Sequence, residues 1–492
     1  MDFLDPNKKR SNKIKLYVGY ILVAIAISMS ALVLLFANSG YRLDTEGNVT
    51  QNGLLFVNSH PDGATAYIEG IYNKYKTQGK TDTKFDLREG RYRVTINMDR
   101  YRSWQKELSV DGGSVERLAY PFLFPEKLET KKLKEYPAEA HIVSSSPDRK
   151  WIIVQDPNDI SKFDVFDTSN LEKPNSGFVI PKNILTTGES QNLEMIEWST
   201  DNSNVLMKHT YDNQVEFIIV NKDNPESSIN VNTLTGQKPY AVTLKDRKID
   251  QLLLHMSPDG LLQQFDIKTK IFVPLVSKAL AFKSHGDDML VYVAPIENNQ
   301  KQVEAHMKTK DKDYVLRKLS ADSNYLVDVA KFSDAWYVAV GASKDNSVYV
   351  YKDPLVILSS DKPKAIIFGR TLRINNPQHV SFSANTRIIA VQSGQNFAVY
   401  DAETDRQTKY EVHDKFDTDR PAEWMDGHRL ISSTNKTALV FDFDGLNQQK
   451  LMSVDSNTDL MFDRDYKTAF SFASADNNGK FNLNQTSLQV KN

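Results

Sequence analysis

The sequence predicts an all-β protein behind one N-terminal transmembrane helix: a small β-sandwich followed by a β-propeller. Three observations carry this prediction. Residues 16–37 form an apolar run without any charged side chain. After a polar gap, about 70 residues alternate apolar and polar side chains with the period of two that is typical of half-buried strands. Beyond residue 125, short apolar runs recur at intervals of roughly 40–55 residues between turn residues, as in propeller blades.

Composition excludes several classes of function. The chain has 492 residues, which is more than one usual domain of about 150 residues. Its net charge of −2 leaves no basic excess of the kind that binds nucleic acid, so we expect no nucleic-acid partner. It has no cysteine, which rules out disulfides and a cysteine-linked lipid anchor. The 21 tyrosines and 24 phenylalanines, separated by Asn, Asp, Ser and Thr, favour strands and turns.

The apolar run is long enough to cross a membrane. As a helix, its 22 residues span about 33 Å, and a hydrocarbon core is about 30 Å thick. Residues 1–15 form a basic tail before the run, while the residues behind it carry Arg42 beside Asp44 and Glu46. The positive-inside rule therefore predicts a cytoplasmic N-terminus, a single span through the lipid bilayer at residues 16–37, and an extracytoplasmic bulk. The basic residues of the tail are Lys8, Lys9, Arg10, Lys13 and Lys15.

A cleaved signal peptide is the alternative interpretation of this segment. The apolar region of a signal peptide usually covers only about 7–15 residues and ends at a small-x-small cleavage site. Here residues 34–38 read Leu-Leu-Phe-Ala-Asn, with bulky side chains where cleavage requires a small one. The sequence therefore favours an uncleaved anchor.

The segments behind the helix are predicted as a tether and a β-sandwich. Residues 38–52 are polar and include Gly40 and Gly47, which suits a short tether. Residues 53–125 alternate in the strand pattern, and a Pro-Asp-Gly turn at residues 61–63 separates the first two strands.

The sandwich region resembles the PEGA domain, a small β-sandwich of surface and envelope proteins. The family pattern contains Ser-x-Pro-x-Gly-Ala, an acidic residue followed by Gly, Gly-x-Thr-Pro and Gly-x-Tyr, in that order. Asp82 stands where the family usually has proline, residues 71–78 lengthen one loop, and Arg100-Tyr101 replaces the usual Gly-Tyr. The resemblance implies a fold and an extracellular setting, and no activity. The matching residues, expected to be structural, are Ser59, Pro61, Gly63, Ala64, Gly70, Gly79, Thr81, Gly90 and Tyr92.

Residues 126–492 carry a loose repeat. One unit is a strand that ends in an aromatic residue and Asp, as in residues 163–167. The other, Ser-Pro-Asp-x-Lys at residues 146–150, is similar to the turn between the first two strands of TolB-type and WD40-like propeller blades. We predict eight blades beginning near residues 138, 193, 240, 279, 326, 379, 420 and 459, with seven as the fallback. Residues 128–133 are expected to supply the outer strand of the last blade and close the ring.

No motif in the chain predicts catalysis or a bound cofactor. The nine histidines lack the two-His helical spacing of zinc peptidases, and there is no nucleophile elbow, phosphate-binding loop or Rossmann fingerprint. The acidic loops at residues 414–419 and 442–444 lack the spacing of a calcium loop. We expect no metal, no cofactor and no catalytic residue, and we expect His60 to occupy a turn or surface position and three further histidines to be satisfied strand residues: His141, His209 and His255.

The binding candidates are an aromatic residue and three basic residues in the sandwich. They could contact an anionic or sugar polymer, although charge that protects a strand edge explains them equally well. The other four tryptophans are expected to fill space between blades. The candidates are Arg100, Arg102, Trp104 and Lys106.

Together these features predict a membrane-anchored, extracytoplasmic binding or scaffold protein of a bacterial cell envelope. Its expected partner is an envelope protein or a polysaccharide. Two alternatives remain: an exported propeller enzyme such as a glycan lyase or hydrolase, and a TolB-like subunit of an envelope complex. The enzyme would need acids, His or Arg that converge on the central channel, and the repeats show no such departure.

Overall fold

The computed structural model describes residues 6–38, 41–43, 49–72, 74–171, 176–286, 289–310, 312–360, 369–455, 457–475 and 479–490. The chain divides into two compact units. One unit contains Met1–Lys127 and Val490–Asn492, and the other contains Leu128–Gln489. The observed division lies two residues after the boundary expected from the sequence.

The N-terminal helix α1 covers Pro6–Asn38. Its apolar stretch Lys13–Asn38 is 26 residues long, and its large side chains are exposed around the whole helix. A helix that is apolar on every side needs apolar surroundings, which a bilayer provides. The helix fits a membrane anchor or a signal sequence. It begins within the predicted basic tail, of which residues 1–5 lie outside the described part.

The segment predicted as a tether contains strand residues. Strand β1 (Tyr41–Leu43) pairs antiparallel with the start of β2 (Val49–Val57), with Tyr41 opposite Gln51. Residues 39–40 and 44–48 of the predicted tether lie outside the described residues. The polar composition did not predict these strands, because backbone N–H and C=O groups form hydrogen bonds between strands whatever the side chains are.

Two sheets form the sandwich. One contains β1, β2 and β5 (Thr83–Arg88), with β8 (Val115–Leu118) parallel to β2. The other has the order β4–β3–β6–β7. Alternate residues of β2, β3, β5 and β6 are buried between the sheets, as the period of two predicted. The bounds of the second sheet are β3 (Thr65–Gly70), β4 (Lys76–Lys80), β6 (Gly90–Asn97) and β7 (Trp104–Val110).

The motif residues hold one corner of the sandwich. The hydroxyl of Ser59 donates to the Pro61 carbonyl at 2.7 Å and lies 2.8 Å from the Thr81 hydroxyl, which can donate to it. Gly63 has a φ of +78°, which favours glycine. Asp82 departs from the family proline for a physical reason: its φ is +67° and its N–H donates to the Val57 carbonyl at 2.8 Å. Proline can provide neither feature.

The second unit is a β-propeller. Its first strand, β9 (Glu129–Tyr136), is followed by strands β10 to β40. In the described part of this unit, the strands form eight four-stranded antiparallel sheets, numbered here as blades 1 to 8. The observed first strands begin within five residues of the predicted blade starts.

The strands of blades 1 to 4 follow chain order. Their bounds are β10 (Val143–Ser145), β11 (Trp151–Asp156), β12 (Asp159–Asp167) and β13 (Ser176–Val179); β14 (Gln191–Trp198), β15 (Asn204–Tyr211), β16 (Gln214–Asn221) and β17 (Ile229–Asn230); β18 (Ala241–Leu244), β19 (Gln251–His255), β20 (Leu262–Asp266) and β21 (Ile271–Val276); and β22 (Ala281–His285), β23 (Met289–Ile296), β24 (Asn299–Lys308) and β25 (Asp313–Ser320).

Blades 5 to 7 follow the same order, and blade 8 borrows β9 as its outer strand. The bounds are β26 (Tyr325–Phe332), β27 (Ala335–Ala342), β28 (Ser347–Lys352) and β29 (Arg370–Arg373); β30 (His379–Phe382), β31 (Ile388–Ser393), β32 (Asn396–Asp401) and β33 (Arg406–Glu411); β34 (Glu423–Trp424), β35 (Arg429–Thr434), β36 (Thr437–Asp442) and β37 (Gln449–Ser453); and β38 (Met461–Phe462), β39 (Thr468–Ala475) and β40 (Lys480–Ser487).

Short helices interrupt the propeller loops. The described residues include α2 (Val231–Thr235), α3 (Pro354–Leu358) and the 3₁₀ turns Pro225–Ser227, Lys245–Arg247 and Ser343–Asp345.

Strand β9 closes the ring, as predicted. It pairs antiparallel with β40, and Tyr136 lies opposite Phe481. The hydroxyls of Thr130 and Thr486 are 2.8 Å apart across the pair. The outer strand of the last blade therefore comes from the start of the unit, which removes one open sheet edge.

Serine turns join the first and second strands of several blades. In blade 1, the Ser146 hydroxyl accepts the Trp151 N–H at 3.0 Å and donates to Asp148. Ser383 makes the same contacts in blade 6, with the N–H of Ile388 and with Asn385. These contacts fix the tight turn that the Ser-Pro-Asp repeat predicted.

Candidate functional site

The first strands of several neighbouring blades contact one another, namely β10 and β38, β14 and β18, β22 and β26, and β26 and β30. Tryptophan side chains join two further pairs of first strands. The indole N–H of Trp198 in blade 2 donates to the Ser144 hydroxyl of blade 1 at 3.1 Å. The indole of Trp424 in blade 7 donates to Ser381 of blade 6 at 2.9 Å. A glutamate precedes each of these tryptophans, so the repeated contact brings Glu197 and Glu423 to equivalent places near the propeller axis.

Glu197 is bonded to the next blade. Its carboxylate accepts the Leu244 N–H of blade 3 at 2.6 Å. Burial raises the pKa of Glu197, while its hydrogen bond from Leu244 and the charges of Arg247 and Lys283 oppose that shift. Because one of its oxygens is already taken by a backbone donor, the side chain ties two blades together.

Asp328 repeats this arrangement between blades 5 and 6. Its carboxylate accepts the N–H of Phe382, on the first strand of blade 6, at 3.3 Å. Burial raises its pKa, and the nearby charges of Lys283 and His285 act in the opposite direction. Lys283, on the first strand of blade 4, therefore acts electrostatically on acids of blades 2 and 5.

Glu423 has different surroundings. It lies beside Asp459 and 3.9 Å from Arg420, whose guanidinium also contacts Asp459 at 2.7 Å. Desolvation by the surrounding protein and the charge of Asp459 raise the pKa of Glu423 to about 7, against the opposing charge of Arg420. The side chain is nevertheless 54% exposed. Glu423 is thus an accessible carboxyl group whose pKa is raised by its surroundings and by the neighbouring carboxylate of Asp459.

A second acidic pair lies on the neighbouring loops of blades 8 and 1. The Asn457 amide donates to Glu139 at 2.9 Å, and burial raises the pKa of Asp455, with the charge of Glu139 adding to the shift. Within the described residues, no group of three or more His, Asp or Glu side chains has the geometry of a metal site. The cluster can donate and accept protons and bind cationic or hydroxyl groups.

The sequence interpretation missed these axial groups. It expected no departure at the channel, whereas the first strands and the loops before them carry Glu197, Asp328, Glu423 and Asp459. The signal that could have found two of them is the repeated Glu-Trp dipeptide. The other two could not be found because their approach depends on strand register.

The basic and aromatic candidates of the sandwich do not form one surface. Trp104 is 1% exposed and packs edge-on against Tyr120, with ring centroids 5.8 Å apart. Lys106 donates to the Tyr120 hydroxyl at 2.6 Å. Strand alternation is the reason, because residues 104, 106 and 108 point to the inner side of β7. In this structure the Trp104 ring lies inside the sandwich, and a contact between Trp104 and a polymer stays a prediction.

The two remaining candidates differ in burial. Arg100 is exposed and lies 3.6 Å from the carboxylate of Asp99. Arg102 is half-buried, and burial lowers its pKa while the charge of Glu126 opposes the shift. Their contribution to binding stays a prediction.

The histidines chiefly have structural partners. His60 stacks on Phe122, with centroids 4.8 Å apart. His209 is fully buried, with ring nitrogens 2.8 Å from Glu216 and 3.1 Å from Gln191, and His255 lies 2.8 Å from the Ala279 carbonyl. His141 differs from expectation: it is exposed in a bend before β10 and is not a strand residue.

The acidic loops make turn and ion-pair contacts. Asp417 accepts the backbone N–H groups of residues 435 and 436 at 2.6 and 2.7 Å. Asp414 pairs with Lys450 at 3.2 Å, and Asp442 accepts from the Asn447 amide at 2.8 Å. Asp419 contributes its carbonyl oxygen, 3.3 Å from a ring nitrogen of His379.

Comparison with known protein families identifies the sandwich. Residues 52–122 match the model of the PEGA domain. The sandwich is a PEGA domain. Asp82 is a variation within it, and residues 76–78 of the segment expected as a lengthened loop lie in strand β4. Among curated proteins, none matches this chain.

Solved structures similar to this chain include propeller proteins. The Dos1 propeller is 14% identical with a TM-score of 0.45 and is covered over 96% of its length by 74% of this chain. An oligogalacturonate lyase in complex with manganese is 10% identical, with a TM-score of 0.39. The match covers 98% of the lyase chain and 72% of this chain. Apo AztD from Citrobacter koseri is 9% identical, with a TM-score of 0.38. The match covers 96% of the AztD chain and 80% of this chain. At these values, the activities of these proteins do not transfer to this chain.

Proposed function

We propose that this chain is a membrane-anchored, extracytoplasmic binding or scaffold protein of a bacterial cell envelope. It holds its PEGA domain and propeller outside the cytoplasm, where they contact a partner protein or a surface polymer. The observation that carries the proposal is the order of parts along the chain. An apolar helix with a basic N-terminal flank precedes a PEGA domain and a propeller whose ring is closed by β9.

The charge asymmetry around the helix supports this orientation. Five basic residues lie just before the apolar core, whereas Arg42 is the base close behind it. The positive-inside rule therefore favours a cytoplasmic N-terminus. The uncleaved span would keep the whole chain at the membrane surface.

Two of the four axial acids support binding over catalysis. Glu197 and Asp328 each accept a hydrogen bond from a backbone N–H of the next blade. These carboxylates therefore have a structural role, which is to stabilise the contact between blades. Loops on the faces of a propeller offer binding area that needs no catalytic group.

One observation favours the enzyme alternative. Glu423 is accessible, its pKa lies near 7, and it adjoins a second carboxylate and a guanidinium. A glycan hydrolase or lyase uses groups of this chemistry. The experiment must therefore separate binding from turnover at Glu423.

The test uses the full chain reconstituted in nanodiscs. Sedimentation with purified cell-wall sacculi measures binding, and release of soluble sugar from sacculi and from polygalacturonate measures turnover. We expect saturable binding and no turnover, for wild type and Glu423→Gln alike. The matched control is Glu411→Gln, an exposed acid on the outer strand of blade 6.

Turnover by the wild type that Glu423→Gln abolishes and Glu411→Gln preserves would replace the binding proposal with the enzyme. Absence of binding to sacculi and to solubilised envelope proteins would contradict a scaffold role.

A further inference from the structure

The outward face of the second PEGA sheet carries an uncharged row across all four strands. Tyr67 of β3 lies opposite Gln78 of β4 on one side and Thr95 of β6 on the other. Thr95 in turn lies opposite Gln105 of β7, whose amide donates to the Thr95 hydroxyl at 3.3 Å. Cross-strand partners share one face of a sheet, so a tyrosine ring stands in a line of amides and a hydroxyl.

A charged row runs beside it, and its charges compensate each other. Lys76 contacts Glu69 at 2.7 Å, and Arg93 contacts Glu107 at 2.7 Å. Glu69 also lies directly opposite Arg93, so signs alternate across the sheet. A row of balanced ion pairs offers little attraction to a polyanion.

A second tyrosine extends the face along the strand direction. Tyr72 is 78% exposed, and the guanidinium of Arg91 donates to its hydroxyl at 3.2 Å. Arg91 lies four residues before Thr95 on β6 and shares its face. At 3.2–3.4 Å per residue, Thr95 and Arg91, the β6 residues next to Tyr67 and Tyr72, lie about 13 Å apart along the strand, with Arg93 of the charged row between them.

We propose that this face binds a neutral glycan chain. The apolar face of a sugar ring stacks on Tyr67, which is 39% exposed, and the amides of Gln78 and Gln105 bond to the hydroxyls on either side of that ring. Tyr72 contacts a sugar further along the chain. This inference rests on the proposed function and names the class of its surface polymer as a neutral polysaccharide.

The residue types on the face favour a glycan over a protein partner. Protein interfaces have an apolar core of aromatic and aliphatic side chains. On the described part of this face, the large exposed apolar side chains are the two tyrosines, each flanked by polar groups. Flat rings with adjacent amides match a ligand that presents a C–H face and a hydroxyl rim.

The test is retention of the full chain, in detergent micelles, on insoluble cellulose and on chitin. Both probes are neutral polymers of six-membered sugar rings. We expect retention on at least one of them that is unchanged between about 0.15 and 0.5 M salt, because screening affects only charged contacts. Tyr67→Ala should weaken retention about tenfold, and Tyr67→Phe should stay within about twofold of wild type because it keeps the ring.

Tyr240→Ala is the matched control, since Tyr240 is a 58% exposed tyrosine of the propeller. Its retention should equal that of wild type. Thermal melting of each variant checks that the fold is intact, and Gln105→Ala provides a second variant, with a smaller loss, if Tyr67→Ala melts early.

Three outcomes overturn the assignment. The first is no retention of wild type on either neutral matrix, and the second is equal retention of wild type, Tyr67→Ala and Gln105→Ala. The third is salt-sensitive retention that occurs only on an acidic matrix of polygalacturonate. Sedimentation of the Tyr67→Ala variant with sacculi separates this inference from the wider proposal. If the variant still binds sacculi, the propeller can account for the envelope contact, and the wider proposal stands even where the glycan site fails.

Discussion

Blades 2 and 7 end their first strands with the same dipeptide, and the two glutamates have different environments. Both following tryptophans bond to a serine of the preceding blade. Glu197 then bonds to the backbone of the next blade, whereas Glu423 faces Asp459 and Arg420. The same local sequence therefore gives a structural acid in one blade and an accessible, protonatable acid in another. The next blade determines which of the two results.

Opening the ring should remove the framework on which both glutamates depend. Deleting residues 480–492 removes β40 and leaves β9 without its partner. We expect aggregation or loss of a cooperative transition, a change of at least about 5 kcal/mol, because an exposed sheet edge adds to the lost packing. Calorimetry and light scattering on the full chain in detergent measure this effect.

Lys480→Ala is the control for that deletion. It keeps the strand and loses one exposed ion pair with Glu135, so its melting temperature should stay close to that of wild type. Unchanged melting of the deletion variant would mean that β9 does not close the ring.

Removing each glutamate should separate the two environments. Glu197→Ala leaves the Leu244 N–H without its acceptor, which costs about 1–3 kcal/mol. Glu423→Ala should change stability by less than about 0.5 kcal/mol at pH 6, since Glu423 is accessible and largely protonated there. Melting temperatures of the two variants measure the difference. Equal losses would show that the two positions are equivalent after all.

The smallest effect concerns pH. The folded protein holds the pKa of Glu423 at about 7, above its ordinary value of 4.5, so the folded state binds more protons between these values. Stability from this group therefore falls as pH rises from about 4.5 to about 7 and is constant outside that window. Because the side chain is half exposed, we expect a change of about 1 kcal/mol or less.

Glu423→Gln should flatten this part of the profile, while Glu411→Gln should leave it unchanged. Melting temperatures at pH 5 and pH 8 test the prediction. A profile that Glu423→Gln leaves unaltered would contradict the raised pKa.

The sequence predicted what depends on periodicity and turn chemistry. Strand alternation placed the sandwich, the Ser-Pro-Asp repeat located the first turns of the blades, and residues 128–133 stood out as a strand without a partner. The sequence did not predict features that depend on contacts between residues far apart in the chain. Trp104 faces inward because of its register on β7, strand residues 41–43 lie in a polar segment, and Tyr67 meets Gln78 and Gln105 only across strands. The approach of Asp459 to Glu423 likewise joins two blades.

The orientation of the chain in the membrane is the central claim, because both proposals require the propeller outside the cytoplasm. The direct measurement is protease treatment of intact cells, or of spheroplasts where an outer membrane is present, with one epitope before residue 1 and another after residue 492. We predict loss of the C-terminal epitope and protection of the N-terminal epitope, with both lost after lysis. Protection of the C-terminal epitope in unlysed cells, together with its loss after lysis, would contradict the account.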